Sequence, residues 1–326
     1  MTKRVILFDP AAASFNKGDM IISEAVESEL VELLPDAEIV KISLHQPLGK
    51  IHRSLLREKC LKIVGGSNVV SAVMHPILRQ SRWNLYPHDY QAVRGFCYMG
   101  AGWAGTNVRS NLIGKWFLKN FPSKLPDVNS FRDSETLMRA GLFGIKNGIN
   151  TGCPTMWGLT RAKMDAVRRT KGSIVVTTLT DNMPDKRADM ELLECLKEQY
   201  EEVYIWFQGL NDARYFKSMG LKGVRELPRN VSGYQAFLQE NVSRLDYVGS
   251  RLHGGVKALQ CGVRTIILAV DHRALDISRD VGLLVLPRKD VSSLEGLINS
   301  DLQMSVKIDR GAIYKWKQGV LRLFES

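Results

Sequence analysis

The segment "SRLHGG" at 250–255 places Arg251 and His253 two residues apart and directly before two glycines. A guanidinium grips a carboxylate or phosphate through two parallel hydrogen bonds. An imidazole titrates near neutral pH and moves protons. Upstream, "RLDYVGS" reads as a strand, and downstream "GGVKALQCG" reads as a helix ending at Gly262. Arg251 and His253 therefore fall in a βα turn at a strand's carboxyl end, where open parallel sheets collect ligands and a helix N-terminus attracts anions. A lone histidine is more often structural. An arginine, two glycines and a helix start sharing one turn reverse that preference, with Gly254 and Gly255 allowing close backbone approach.

Other stretches hold candidate groups. In "SFRDSETLMRAGL", Arg132 ends a strand and Asp133 is placed to cap the next helix; Arg132 either reaches an anion or pairs with a neighbouring carboxylate. The loop "DPAAASFNKGDMI", 9–21, offers Asn16 and Gly18 for a tight turn and Asp19 as a helix cap, and it is longer than most βα connections. "GGSN" at 65–68, with Gly66, lets backbone approach a ligand. "GAGWAG", 100–105, matches G-x-G-x-x-G. It follows about the fourth strand and carries Trp103 inside the turn, so a tight cleft-lining loop with Gly102 and Trp103 ranks above nicotinamide binding. Tyr86, His88, Asp89 and Trp103 are residue types that pack on sugar rings, with core or surface placement having an equal claim.

Positioning these groups requires alternating strands and helices. "RVILFD", "AEIVKIS", "CLKIVGG", "GFCYMGAG" and "VNSFRD" read as strands of a first half, with "MIISEAVESELVELL" as a helix. "SIVVTTLT", "EVYIWFQG", "RLDYVGS" and "RTIILAV" restart the pattern. Such alternation gives parallel sheets covered by helices. With 326 residues, the chain accommodates two domains of roughly 150 residues each. We place them at 1–158 and 159–326, and the second ends in an amphipathic helix, "GAIYKWKQGVLRLF". Packing of that helix on the core is favoured over a membrane-surface role.

Composition narrows the classes. A hydrophobic fraction of 44% and 24% charged residues suit a folded chain throughout. No apolar run approaches the roughly 20 residues of a membrane span, and Asp9 interrupts the only leader-like start, so the protein is expected in the cytoplasm. Five scattered cysteines argue against a disulfide framework and a zinc site. A formal charge of +11 points to an acidic partner. The basic residues form no single tract and no nucleic-acid-binding signature accompanies them, so nucleic acid ranks last.

"FNKGDMIISEA", the glycine pair after the third strand, "FRDSETLMRAGL" and above all "SRLHGGVKALQCGVRTIILAVDHRALD" together resemble the polysaccharide pyruvyl transferase family. The resemblance spans most of the chain and is weakest at about 160–200. It implies two Rossmann-like domains facing across a cleft, as in B-type glycosyltransferases. It also implies transfer of the enolpyruvyl unit of phosphoenolpyruvate onto two hydroxyls of a sugar, forming a pyruvate ketal in exopolysaccharide or cell-surface polysaccharide. Family positions that bind phosphoenolpyruvate fall on Arg132, Arg251, Leu252 (through its backbone) and His253. His253 is assigned as general acid and Asp19 as base, with Asn16, Gly18, Gly66, Gly102 and Trp103 as cleft or acceptor candidates. No metal or organic cofactor is implied. The acceptor is expected to be sugar on a lipid-diphosphate-linked oligosaccharide, with peripheral contact to the anionic inner membrane face. "GGSN" departs from the longer acidic-glycine run frequent in the family. Two readings compete: a B-type glycosyltransferase with a nucleotide-sugar donor, its ribose held by Asp271 or Asp276, and a basic scaffold docked on a membrane through the C-terminal helix.

Overall fold

The runs of Val, Ile and Leu that form "RVILFD" and "RTIILA" are buried along nearly their whole lengths, as strands covered on both faces must be. They belong to different compact units of a computed structural model that describes residues 3–74, 83, 85–105 and 109–325. One unit comprises Met1–Ser14, Ile22–Pro154 and Ile308–Ser326; the other comprises Phe15–Ile21 and Thr155–Lys307. The main division thus falls at 154/155, just ahead of the expected one. The C-terminal segment returns to the first unit, which the expected division had assigned to the second.

In the first unit, β1 (Arg4–Asp9), β2 (Glu38–Ser43), β3 (Leu61–Gly65) and β4 (Cys97–Met99) form a parallel sheet in the order β2-β1-β3-β4. A parallel pair, β5 (Asn129–Phe131) and β6 (Gly148–Asn150), continues from β4. Ala101 N–H donates to Ser130 O and Arg132 N–H donates to Ala101 O, both at 3.1 Å. The core beneath includes Phe8, Val64, Phe96, Phe117 and Phe131.

The second unit contains β7 (Ile174–Thr177), β8 (Glu202–Ile205), β9 (Val224–Glu226), β10 (Leu245–Gly249), β11 (Arg264–Ala269) and β12 (Val285–Pro287). All pair in parallel, in the order β12-β11-β10-β7-β8-β9. Counted within the unit this is 3-2-1-4-5-6 read from β9, the Rossmann order, whose strand sequence reverses between β7 and β10. The two-unit parallel α/β architecture expected from the alternation is present. Strands β6, β9 and β12 were not anticipated. Each has three residues, and "GIN", "VRE" and "VLP" lack a buried apolar run.

The helix Arg310–Glu325 turns its apolar stripe into the first unit. Ile313, Trp316 and Val320 are buried, and the Trp316 indole N–H donates to Tyr98 O and Val128 O at 3.0 and 3.1 Å. The core placement holds, which removes the stripe a membrane-docked scaffold needs. Among the described residues, no helix is long and apolar enough to cross a membrane, and the five cysteines form no disulfide.

Candidate active site

The strand order of the second unit reverses between β7 and β10, and Arg251 lies just past β10 at that reversal. Its backbone N–H donates to Thr178 Oγ1 at 3.1 Å, and its carbonyl accepts from Tyr247 Oη at 2.8 Å. The turn is thereby stitched to the end of β7. Arg251 Nε donates to Asp212 Oδ2 at 3.1 Å, while Nη2 bonds Asp212 Oδ1 and donates to Asp181 Oδ1 at 3.1 Å. Among the described residues, Nη1 makes no hydrogen bond, which leaves one edge of the guanidinium for a ligand.

Asp212 is wholly buried and also accepts from Gly209 N–H at 2.6 Å and Asp181 N–H at 3.1 Å. One carboxylate therefore ties together the loops after β7 and β8 and the arginine after β10. A Cβ on Gly209 would lie 2.4 Å from Arg251 Nη2 and 2.9 Å from Asp212 Oδ1, so this position accepts only glycine without displacing the pair. No sequence signal marked Asp181, Asp212 or Gly209. Asp181 and Gly209 lie on loops and Asp212 opens the helix Asp212–Lys217, all far along the chain from Arg251, and they meet it only through strand order.

His253 is half-buried in the first turn of the helix Leu252–Gln260, next to Leu252, where the first-turn N–H groups and the helix dipole favour negative charge. The following glycines serve packing, not ligand approach as expected. A Cβ on Gly255 would lie 2.6 Å from Ile267 Cγ1, and one on Gly254 would lie 3.2 Å from Tyr247 Oη. They allow the helix to sit directly on β10 and β11.

The loop residues Asn16 and Gly18 belong to this unit through Gln208. Gln208 Nε2 donates to Asn16 Oδ1 at 3.0 Å, Lys17 N–H donates to Gln208 O at 3.0 Å, and a Cβ on Gly18 would lie 2.6 Å from Gln208 Nε2. Asn16 and Gly18 thus form a latch on the loop after β8. The helix starts at Lys17, with Asn16 Oδ1 accepting from Gly18 N–H at 3.1 Å; Asp19 is a buried first-turn residue and not the cap expected. Lys17 adds a cation that no motif in the sequence marks. Burial lowers its pKa, Asp212 raises it, and Arg229 and Arg251 lower it further, so all four charges share one field.

In the first unit, Arg132 follows β5 and is almost fully buried. Its Nε donates to Asp133 Oδ2 at 3.0 Å, the neighbouring-carboxylate pairing considered above, while neither Nη atom makes a hydrogen bond among the described residues. Asp133 caps the helix Ser134–Leu142 as expected, accepting from Thr136 N–H at 2.6 Å. Gly102 makes room for this arrangement: a Cβ there would lie 2.3 Å from Arg132 Cζ. Trp103 is a core residue, 3% exposed, stacked on Phe143 at 5.7 Å with Arg139 over its ring, so it is closed to a sugar. Gly66, at φ +59, lets Ile22 pack against the strand end, where a Cβ would lie 2.3 Å from Ile22 Cγ2. After "GAGWAG" the next helix among the described residues begins at Leu112, set apart from the glycine turn, whereas a dinucleotide fingerprint opens directly into its helix. Asp89 is buried and holds Arg53 Nε at 2.8 Å, while Tyr86 stacks on His88 at 5.4 Å.

The residues named for a nucleotide ribose are already engaged. Asp271 caps the helix His272–Val281, accepting from Arg273 N–H at 3.0 Å, and also holds Arg273 Nε at 2.8 Å. Asp276 pairs with Arg279 at 3.2 Å. Among the described residues, no group of His, Cys, Asp and Glu is arranged to hold a metal ion.

No curated protein matches the chain. Among solved structures, a glycosyltransferase from Rickettsia africae ESF-5 is similar at a TM-score of 0.51 and 10% identity, covering 99% of this chain and 94% of that one. The lipopolysaccharide outer core galactosyltransferase WaaB, in its apo form, is similar at a TM-score of 0.50 and 11% identity, covering 99% and 97%. At such identity the likeness shows the fold, that of B-type glycosyltransferases with their two Rossmann-like domains. The family model described as polysaccharide pyruvyl transferase matches residues 16–272, a span that takes in Asn16, Arg132, Asp212, Arg251 and His253. The chain belongs to the polysaccharide pyruvyl transferase family.

Proposed function

We propose that the protein takes phosphoenolpyruvate as donor and builds a cyclic pyruvate ketal on a sugar of an exopolysaccharide or cell-surface polysaccharide. The observation that carries this reading is the turn after β10. There a guanidinium with a free edge, an imidazole and a helix N-terminus meet at the strand-order reversal. Phosphoenolpyruvate presents a phosphate and a carboxylate, and Arg251, the helix start with Leu252 and His253, and Arg132 are the groups assigned to them. Lys17 adds positive charge beside Arg251.

In the proposed reaction, one acceptor hydroxyl adds to C2 while a proton reaches C3, turning the methylene into a methyl group. The C2–O bond to phosphate then breaks, giving oxocarbenium character. The second hydroxyl closes the ketal and loses its proton. We assign His253 as the acid that delivers the proton to C3 and Asp19 as the base that accepts the proton of one hydroxyl, the other hydroxyl proton leaving with the phosphate. Because phosphate must leave before the ring can close, one phosphate is released per ketal.

Phosphate release from phosphoenolpyruvate with a panel of free and lipid-diphosphate-linked sugars, together with mass detection of the ketal, tests the reading. His253→Ala is expected to remove turnover, and Asp19→Asn to lower it and flatten the acidic side of the pH profile. Binding of uridine diphosphate in place of phosphoenolpyruvate would overturn the donor assignment. Near-normal turnover in His253→Ala would remove that residue from catalysis.

A further inference from the structure

The helix Leu112–Asn120 buries one face, with Gly114, Phe117 and Leu118 in the core of the first unit. Its other face carries Leu112, Lys115, Trp116 and Lys119, spaced by three and four residues and therefore in one stripe. Leu112 is 85% exposed and Trp116 is 41% exposed. On the helix Ser134–Leu142 the exposed positions recur every four residues, and its last residue, Leu142, is 70% exposed. The two stripes adjoin: Lys115, Trp116, Lys119, Leu142 and Lys146 line one open cavity of about 460 Å³.

Charge indicates what covers this face. From Arg109 to Pro126 the chain carries Arg109, Lys115, Lys119 and Lys124 and no Asp or Glu. The one acid on the second helix, Glu135, is held by Arg139 Nε at 2.6 Å. The occupant therefore presents negative charge at the lysine heads and apolar matter beneath. Lysine is depleted from protein–protein interfaces, whereas leucine and tryptophan bordered by lysines recur where helices lie in a lipid headgroup layer. The lysine stems can lie along the apolar stripe while their ammonium groups meet lipid phosphates. We propose that this face of the first unit docks on an anionic phospholipid surface, with Leu112, Trp116 and Leu142 entering the headgroup layer.

Co-flotation of the full chain with vesicles measures this without any turnover. Binding is expected to vesicles of phosphatidylcholine mixed with phosphatidylglycerol and not to phosphatidylcholine alone. It should weaken as salt shortens the screening length toward ~3 Å at 1 M. The pair Lys115→Glu and Lys119→Glu should lower partitioning by roughly tenfold or more. The pair Trp116→Ser and Leu142→Ser should lower it on mixed vesicles to a similar degree. Unchanged thermal unfolding and unchanged phosphate release with a free sugar acceptor are expected for both pairs. Absence of wild-type binding at low salt overturns the proposal, as does binding that survives both pairs. It is equally overturned if the substitutions leave vesicle binding intact and instead abolish a concentration-dependent dimer.

Discussion

Arg132 in the first unit and Arg251 in the second are built alike. Each follows a strand, each lies against a glycine that no larger residue replaces freely, and each gives Nε to an aspartate at about 3 Å. The difference is where the aspartate comes from. Asp133 is the next residue and doubles as a helix cap, so the first site is held by a few consecutive residues. Asp212 is 39 residues from Arg251 and doubles as a clamp on two loops. A local pairing orients a side chain at small folding cost. A pairing that also fixes loops makes the side chain's orientation and the loops' conformation one property.

The largest expected effect follows from that coupling. Asp212→Ala leaves a largely buried guanidinium with Asp181 as its one remaining carboxylate and a long contact to Leu179 O, and frees Gly209 N–H and Asp181 N–H together. Removing one member of a buried pair costs about 3 kcal/mol, and loss of the arginine's orientation should lower kcat/KM by about a hundredfold. Asp133→Ala, its counterpart, strands a guanidinium buried at least as deeply and removes a helix cap, so its stability cost should be of the same size, about 3 kcal/mol. The two should part in local opening: hydrogen exchange at the Gly209 and Asp181 amides should speed up in Asp212→Ala, and only the first turn of Ser134–Leu142 should open in Asp133→Ala. Unchanged exchange at Gly209 and Asp181 would mean that Asp212 holds Arg251 but not the loops.

The glycines sharpen the contrast. Gly102→Ala drives a Cβ into Arg132 Cζ, the far end of a flexible side chain that can swing away. Activity should fall while stability changes by less than about 1 kcal/mol. Gly209→Ala crowds Arg251 Nη2 and Asp212 Oδ1 at once, so both partners must move, and stability should also fall by about 1–3 kcal/mol. Thermal unfolding with phosphate release on the same preparations separates the two cases. A stable but inactive Gly209→Ala would place the loops outside the clamp.

The same contrast explains what could be read before the structure. Strands such as "RTIILA" and the turn "SRLHGG" show themselves through consecutive residues, as does the Asp133 cap three residues ahead of the Thr136 N–H it binds. Asp212 sits in "GLNDARYF", where a buried aspartate looks like any loop acid. Its role arises only because β8 lies beside β7, which lies beside β10. The glycines illustrate the opposite error. The pair Gly254 and Gly255 suggests room for a ligand, yet Ile267 and Tyr247 occupy the space their side chains would need. Trp103 is a residue type that can carry a sugar, but its ring is 3% exposed and packed against Phe143 and Arg139. Composition alone does not distinguish a stacking ring from a packed one.

Asp181 is the second carboxylate on Arg251 and should matter least to stability. Its side chain is 35% exposed, against none for Asp212. An ion pair open to water contributes about 0–1 kcal/mol. Around Arg251 the field contains Lys17 and Arg229 as further cations and Asp181 and Asp212 as anions. Neutralising Asp181 therefore makes the site more positive without releasing the clamp, since Asp212 still holds Nε and Nη2. Asp181→Asn should lower KM for phosphoenolpyruvate severalfold at nearly unchanged kcat. The gain should shrink as salt is added, because charges partly open to solvent are screened. A KM that rises instead, with kcat intact, would show that Arg251 needs both carboxylates to point its free edge at the donor. The two arginines would then differ in the number of groups that aim them as well as in where those groups come from.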